Sequence, residues 1–180
     1  MVSVKRLSIV TALLAAALLT GCSSDGSVSD KSYLRAAVIG ADSVTMSFFS
    51  EDDGVVTAEA DSPEKACSAA ELSGGKRIFT GYTELIILDG CDSAEVLTFM
   101  LNEWKVSPSC IVACPDGNGA ALLSERSAEE LEGAVRVAQK QELVGRCDIV
   151  TVLGGLLGSS RTAEVPVLSQ DGFAGTASIE

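Results

Sequence analysis

The run ELIILDGCDSAEVLTFMLNEWKVSPSCIVACPDG, residues 84–117, decides the fold. Glu84-Leu85-Ile86-Ile87-Leu88 is continuously apolar after its first residue and is bounded by Asp89-Gly90, the pattern of a strand covered on both faces. Asp92-x-x-Glu95 supplies a capping box, which launches a helix with Leu97, Met100, Leu101 and Trp104 at helical spacing. Pro108 precedes another apolar strand, Cys110–Cys114, which ends at Pro115-Asp116-Gly117-Asn118-Gly119. Strand, helix and strand in that order imply parallel pairing.

Toward the N-terminus, Ser62-Pro63-Glu64 opens a helix with an N-cap serine and proline at the first helical position. Its buried stripe is Ala66, Ala69 and Ala70, and Gly74-Gly75 ends it. Before it, Tyr33–Ile39, Val44–Ser50 and Val55–Ala60 read as extended segments, with Val44, Met46 and Phe48 in period-two alternation. Toward the C-terminus, Ser127-x-x-Glu130 is a second capping box, followed by Leu131, Ala134, Val135 and Ala138 on one helical face. Ile149, Val152, Leu153, Leu156 and Leu157 form a further stripe, stopped by Gly158, and Val165-Pro166-Val167 and Ala174–Ile179 close the chain as short strands. The expected fold is α/β (α+β): a mixed, partly parallel sheet with an N-terminal antiparallel hairpin and packed helices.

The chain opens with MVSVKRLSIVTALLAAALLTGCSS. Lys5 and Arg6 form a cationic head, Leu7–Leu19 an apolar core, and Leu19-Thr20-Gly21-Cys22 a lipobox, so residues 1–21 read as a lipoprotein signal peptide. The apolar core is shorter than the roughly 20 residues that hydrocarbon requires. Cys22 is the expected lipidation site, its thiol taking a diacylglycerol through a thioether. The alternatives are a plain secretory signal with an incidental cysteine, or an uncleaved anchor. Residues 22–32, polar and rich in Gly and Ser, read as a flexible tether, and residues 33–180 as the α/β domain. The expected location is the outer face of the cytoplasmic membrane.

Removing Lys5 and Arg6 leaves 11 basic residues facing 25 acidic ones, a net charge of −14. Such a surface is repelled by nucleic-acid phosphates and by anionic headgroups. Nucleic acid is therefore excluded as a partner, and membrane attachment falls to the lipid. The chain contains no histidine, which removes Ser-His-Asp and Cys-His nucleophile activation and every imidazole-dependent metal site.

Besides Cys22 there are Cys67, Cys91, Cys110, Cys114 and Cys147. Five is odd, so a monomer has no complete disulfide framework, and the bland reading is a set of small buried hydrophobes. Ser73-Gly74-Gly75-Lys76 has the glycines of a phosphate loop but lacks the upstream glycine and has Arg77 where Ser or Thr belongs, so it reads as a helix-ending turn. Gly154-Gly155 reads as a close-packing site. Glu51-Asp52-Asp53 offers oxygens to calcium but reads first as a solvated turn. Lys76-Arg77, the one adjacent basic pair after the signal, reads as a helix end. No catalytic residue, metal ligand or cofactor site is expected, and the protein is read as a non-enzyme.

The order of elements resembles the N-terminal domain of the spore-germination lipoproteins, the C subunits of nutrient germinant receptors (the Ger(x)C family). The likeness runs from the lipobox through Val38-Ile39-Gly40-Ala41-Asp42 and Lys76-Arg77-Ile78-Phe79-Thr80-Gly81-Tyr82-Thr83 into Glu84–Leu88. It continues through Ser109–Ala113 to Val165-Pro166-Val167-Leu168. The family's histidine after the aromatic turn is replaced by Tyr82, and its arginine after the helix is absent at Asn102, Glu103 and Lys105. Family members are about twice as long. The resemblance implies a receptor-assembly role at the inner spore membrane, with integral-membrane subunits as partners; Phe79 and Tyr82 are candidate contact residues, though core packing explains both equally well. A lipoprotein binding a small solute at the carboxyl ends of the central strands is the alternative, and a thiol-based redox protein a third.

Cys22→Ala is expected to abolish metabolic labelling by palmitate; a label that survives the substitution contradicts the lipobox assignment.

Overall fold

The computed structural model describes residues 30–50 and 54–180. Its strands form one mixed sheet, in spatial order β3-β2-β1-β5-β6-β7-β8. β1 (Lys31–Gly40) is an interior strand: it pairs antiparallel with β2 (Ser43–Phe48) and parallel with β5 (Leu85–Asp89). β3 (Val55–Glu59) completes the antiparallel N-terminal edge against β2. β6 (Ile111–Pro115) lies parallel to β5, and β7 (Ala163–Ser169) parallel to β6. β8 (Gly172–Ile179) returns antiparallel to β7, so a second hairpin closes the opposite edge.

β4 (Arg77–Phe79) is a short strand parallel to the first residues of β1, pairing Lys31 with Arg77 and Tyr33 with Phe79. β4 and β5 therefore run along the same side of β1, separated by Thr80–Glu84. β1 starts at Lys31, so two residues read as tether, Lys31 and Ser32, belong to the sheet.

Leu85–Leu88 are buried on both faces, as a continuously apolar strand requires. α1 (Pro63–Gly74) packs on β2, β3 and β4; α2 (Ser93–Asn102) packs on α5 (Ile149–Leu157), which in turn lies on β6 and β7. α3 (Gly119–Glu125) crosses β1, β2, β3, β5 and β6, and α4 (Ala128–Lys140) packs on β8. Among the described residues no buried side-chain nitrogen or oxygen lacks a hydrogen-bond partner.

The caps fall where the sequence places them. Ser62 Oγ accepts from the Lys65 amide, Asp92 Oδ1 from the Glu95 amide, and Ser127 and Glu130 form the full reciprocal box of α4. Gly75 caps α1 at φ 67°, the left-handed conformation that glycine adopts without a Cβ penalty, so Ser73–Lys76 is a helix end. α5 is capped by Asp148, which is buried and bonded to the Thr151 amide and hydroxyl and to Arg146. Burial opposes ionisation of that carboxyl, but its bonds from Thr151 and the Arg146 charge outweigh burial and hold its pKa below the usual range.

Several periodic expectations shift. The covered stripe of α1 is Ala66 and Ala70 with Cys67 half-buried on its flank, which rotates Ala69 into solvent. Trp104 is buried, yet it follows α2: the chain turns at Lys105 (φ 54°) and packs Trp104 edge-on to Phe99 at 6.1 Å. Leu157, at the last turn of α5, is 69% exposed. α3 was hidden in what reads as a turn. Asn118 Oδ1 caps it through the Ala121 amide, and the Gly119 amide donates to Asp89 Oδ2 at 2.9 Å. A Cβ on Gly119 would lie 2.6 Å from Val38 Cγ1, so only glycine lets α3 approach β1 this closely.

The glycine pair in α5 divides in two. A Cβ at Gly155 would meet the Thr162 carbonyl at 2.8 Å and Ala163 Cβ at 3.1 Å, whereas one at Gly154 meets nothing within 4 Å. Gly155→Ala is expected to destabilise the fold by about 1–3 kcal/mol through overpacking, and Gly154→Ala to stabilise it by up to about 1 kcal/mol through helix propensity. Denaturant unfolding of both variants reads the two signs; equal effects would contradict this packing.

Candidate functional site

Cys22 and residues 1–21, the expected signal peptide, lie outside the described residues, as do Glu51, Asp52 and Asp53. Two surfaces of the domain remain, at opposite ends of β1.

The first lies at the amino end. Lys31, Tyr33 and Arg35 alternate with buried Ser32, Leu34 and Ala36, so all three point to one face. Parallel pairing brings Phe79 beside Tyr33, with ring centres 5.6 Å apart. After Phe79 the chain makes a tight excursion, closed by the Thr83 amide and hydroxyl donating to the Thr80 carbonyl, and rejoins β1 through the Glu84 amide donating to the Arg35 carbonyl. Thr80 Oγ1 donates to the Trp104 carbonyl at 2.6 Å and ties the excursion to the end of α2. Tyr82 is thereby folded back onto both neighbours, 5.0 Å from Phe79 edge-on and 5.9 Å from Tyr33 stacked. Gly81 permits this: a Cβ there would sit 3.0 Å from the Phe79 ring.

Phe49 extends the patch, its amide donating to the Tyr33 carbonyl. The Arg35 guanidinium lies 5.1 Å from the centre of the Phe49 ring and also reaches Glu84 and Glu129, each at 3.1 Å. Phe49, Phe79 and Tyr82 are 43%, 39% and 63% exposed, although rings normally seek burial. The structure thus brings together the two residues singled out from sequence, Phe79 and Tyr82, and adds Tyr33, Phe49 and Arg35. Their sequence separations hid the cluster, because the pairing of β1 with β4 on one edge and with the β2 end on the other makes them neighbours.

The second surface is a cleft of about 350 Å³ at the carboxyl ends of β1 and β5. Gly40-Ala41, Ala60–Pro63 and Gly90–Asp92 line it, with Glu95, Val96 and Phe99 of α2. Its charged lining is acidic: Asp61, Asp92 and Glu95. Bonding to Lys65 and the Lys65 charge hold the Asp61 carboxyl below its usual pKa. The Lys65 amide of α1 and the Glu95 amide of α2 are already taken by the Ser62 and Asp92 side chains. Such a cleft suits a neutral or cationic solute and disfavours an anion. Among the described residues no cluster is suited to a metal ion, and no helix is long and apolar enough to cross a membrane.

The five cysteines of the domain are free. Cys110 and Cys147 are buried and Cys67, Cys91 and Cys114 half-buried. Burial pushes the thiols of Cys67, Cys91, Cys114 and Cys147 up to about 11, and Cys110 further. A low-pKa thiolate, which a reactive thiol needs, is therefore not held here.

Compared with known proteins, the chain matches no family model, no curated protein and no solved structure.

The thiol environment makes a pH prediction. Because the fold raises these pKa values above the unfolded 9.0, their stabilisation is full below about pH 9 and falls as pH rises through about 11. At pH 8 a shift of about two units leaves roughly 100-fold less thiolate than in the unfolded chain, so alkylation by iodoacetamide is expected to be about 100-fold slower in the fold. Labelling as fast as in denaturant would contradict the thiol assignment.

Proposed function

We propose that this protein is an extracytoplasmic lipoprotein, held by a diacylglyceryl group on Cys22, that acts non-catalytically through contacts with membrane partners. The lipobox Leu19-Thr20-Gly21-Cys22 carries this reading. The absence of histidine and the protonated thiols support the non-catalytic part. On the sequence resemblance, its partners are the integral-membrane subunits of a nutrient germinant receptor at the inner spore membrane, and its task is receptor assembly or signal relay. Anchoring raises the effective concentration of partners toward the mM range, so individually weak contacts suffice.

Affinity purification of the tagged lipoprotein from detergent-solubilised spore membranes is expected to recover a multi-pass receptor subunit, and deletion of the gene to slow germination. Normal germination after deletion, with no membrane protein recovered, would overturn the receptor role.

The acidic cleft favours a second reading, capture of a small neutral or cationic solute. Ala41→Trp, which fills the opening, separates the two: it leaves receptor assembly intact under the first reading and abolishes function under the second.

A further inference from the structure

The aromatic cluster sits on the end of the domain from which the lipid anchor departs. We propose that Tyr33, Phe79 and Tyr82, flanked by Lys31 and Arg77, form the membrane-facing side of the anchored domain and rest in the headgroup zone of an anionic bilayer. The inference rests on the reading of Cys22 as the lipid attachment site.

Three observations converge. Eight residues, 23–30, separate the lipidated cysteine from Lys31, which is nine steps of chain. A chain spans no more than about 3.3–3.6 Å per residue, so Lys31 stays within roughly 30 Å of the anchored sulfur. Tyr33 and its neighbours lie at the end of β1 that the chain enters, whereas the cleft lies ~30 Å away at the other end of β1.

Composition points the same way. The chain has two tyrosines and five phenylalanines, and both tyrosines and two of the phenylalanines gather here with three of the four rings well exposed. Tyrosine is the residue type that, with tryptophan, collects at membrane–water interfaces, its ring in the apolar zone and its hydroxyl in water.

The net charge of −14 conceals a local departure. Lys31 and Arg77 stand side by side on β1 and β4, and Lys76 and Lys105 adjoin them in the chain and at the Gly81 turn. Glu84 and Glu129 are engaged by Arg35, and the Glu71 carboxylate accepts from the Ile78 amide. Asp30 and Glu71 keep acidic charge nearby, so the cationic feature is local to the Lys31–Arg77 pair, whose side-by-side charges attract anionic headgroups.

The test uses the lipidated full-length protein in vesicles of phosphatidylglycerol and phosphatidylcholine in equal parts, with brominated acyl chains as fluorescence quencher. Tyr82→Trp reports on the patch. Leu157→Trp, on an exposed residue in the groove it shares with Asp92 at the opposite end, is the control. Tyr82→Trp is expected to be quenched several-fold more than Leu157→Trp. Adding Lys31→Glu with Arg77→Glu, which keeps the pair like-charged as before, is expected to reduce that quenching several-fold without releasing the protein. Equal quenching at both positions, or none at either while the protein remains on the vesicles, overturns the proposal. So does quenching at Tyr82→Trp that appears only with an integral-membrane partner present, which would assign the patch to that protein. If the protein fails to sediment with vesicles in every variant, the anchoring reading is what falls.

Discussion

β1 is the strand on which the molecule depends, because its two halves answer to different surroundings. From Leu34 to Ile39 every residue but Arg35 is buried, and the strand is hydrogen-bonded on both edges, to β2 and to β5. The small side chains of Ala36 and Ala37 and the missing side chain of Gly119 let neighbouring layers approach it. From Lys31 to Tyr33 the same strand emerges from the core, takes β4 as partner and shows one face to solvent. A rigid core strand thus delivers an exposed aromatic group to the end of the domain where the tether enters. Fold and candidate contact surface share one backbone.

On the proposed orientation, that arrangement also makes a strongly acidic chain compatible with an anionic membrane surface. Net charge governs long-range approach, and at physiological salt its reach is only about 8 Å. Under the proposed lipid anchor, which would remove the need for long-range attraction, the charges within that distance decide orientation. The cleft, with Asp61, Asp92 and Glu95, lies at the other end of β1.

Much of the fold was legible in sequence because the signals were local. The apolar run at Leu85–Leu88 and the caps at Ser62, Asp92 and Ser127 determine strand and helix starts through neighbours a few residues away. The mixed sheet with its N-terminal antiparallel strands and packed helices follows from their order. What escaped depended on distant partners. α3 begins at a glycine whose role is defined by Val38 and Asp89; β4 is three residues long and exists through β1; Trp104 is buried by a turn rather than by helical period. The candidate surface divides likewise. Phe79 and Tyr82 were visible as aromatics beside a basic pair, whereas Tyr33, Phe49 and Arg35 join them only through strand pairing.

The account turns on the chemistry of one sulfur atom. Mass spectrometry of the N-terminal peptide of the mature protein, isolated from membranes, examines it directly. A chain beginning at Cys22 with a diacylglyceryl thioether is the predicted result. A mature chain that begins elsewhere, or that carries Cys22 as an unmodified thiol, would contradict it.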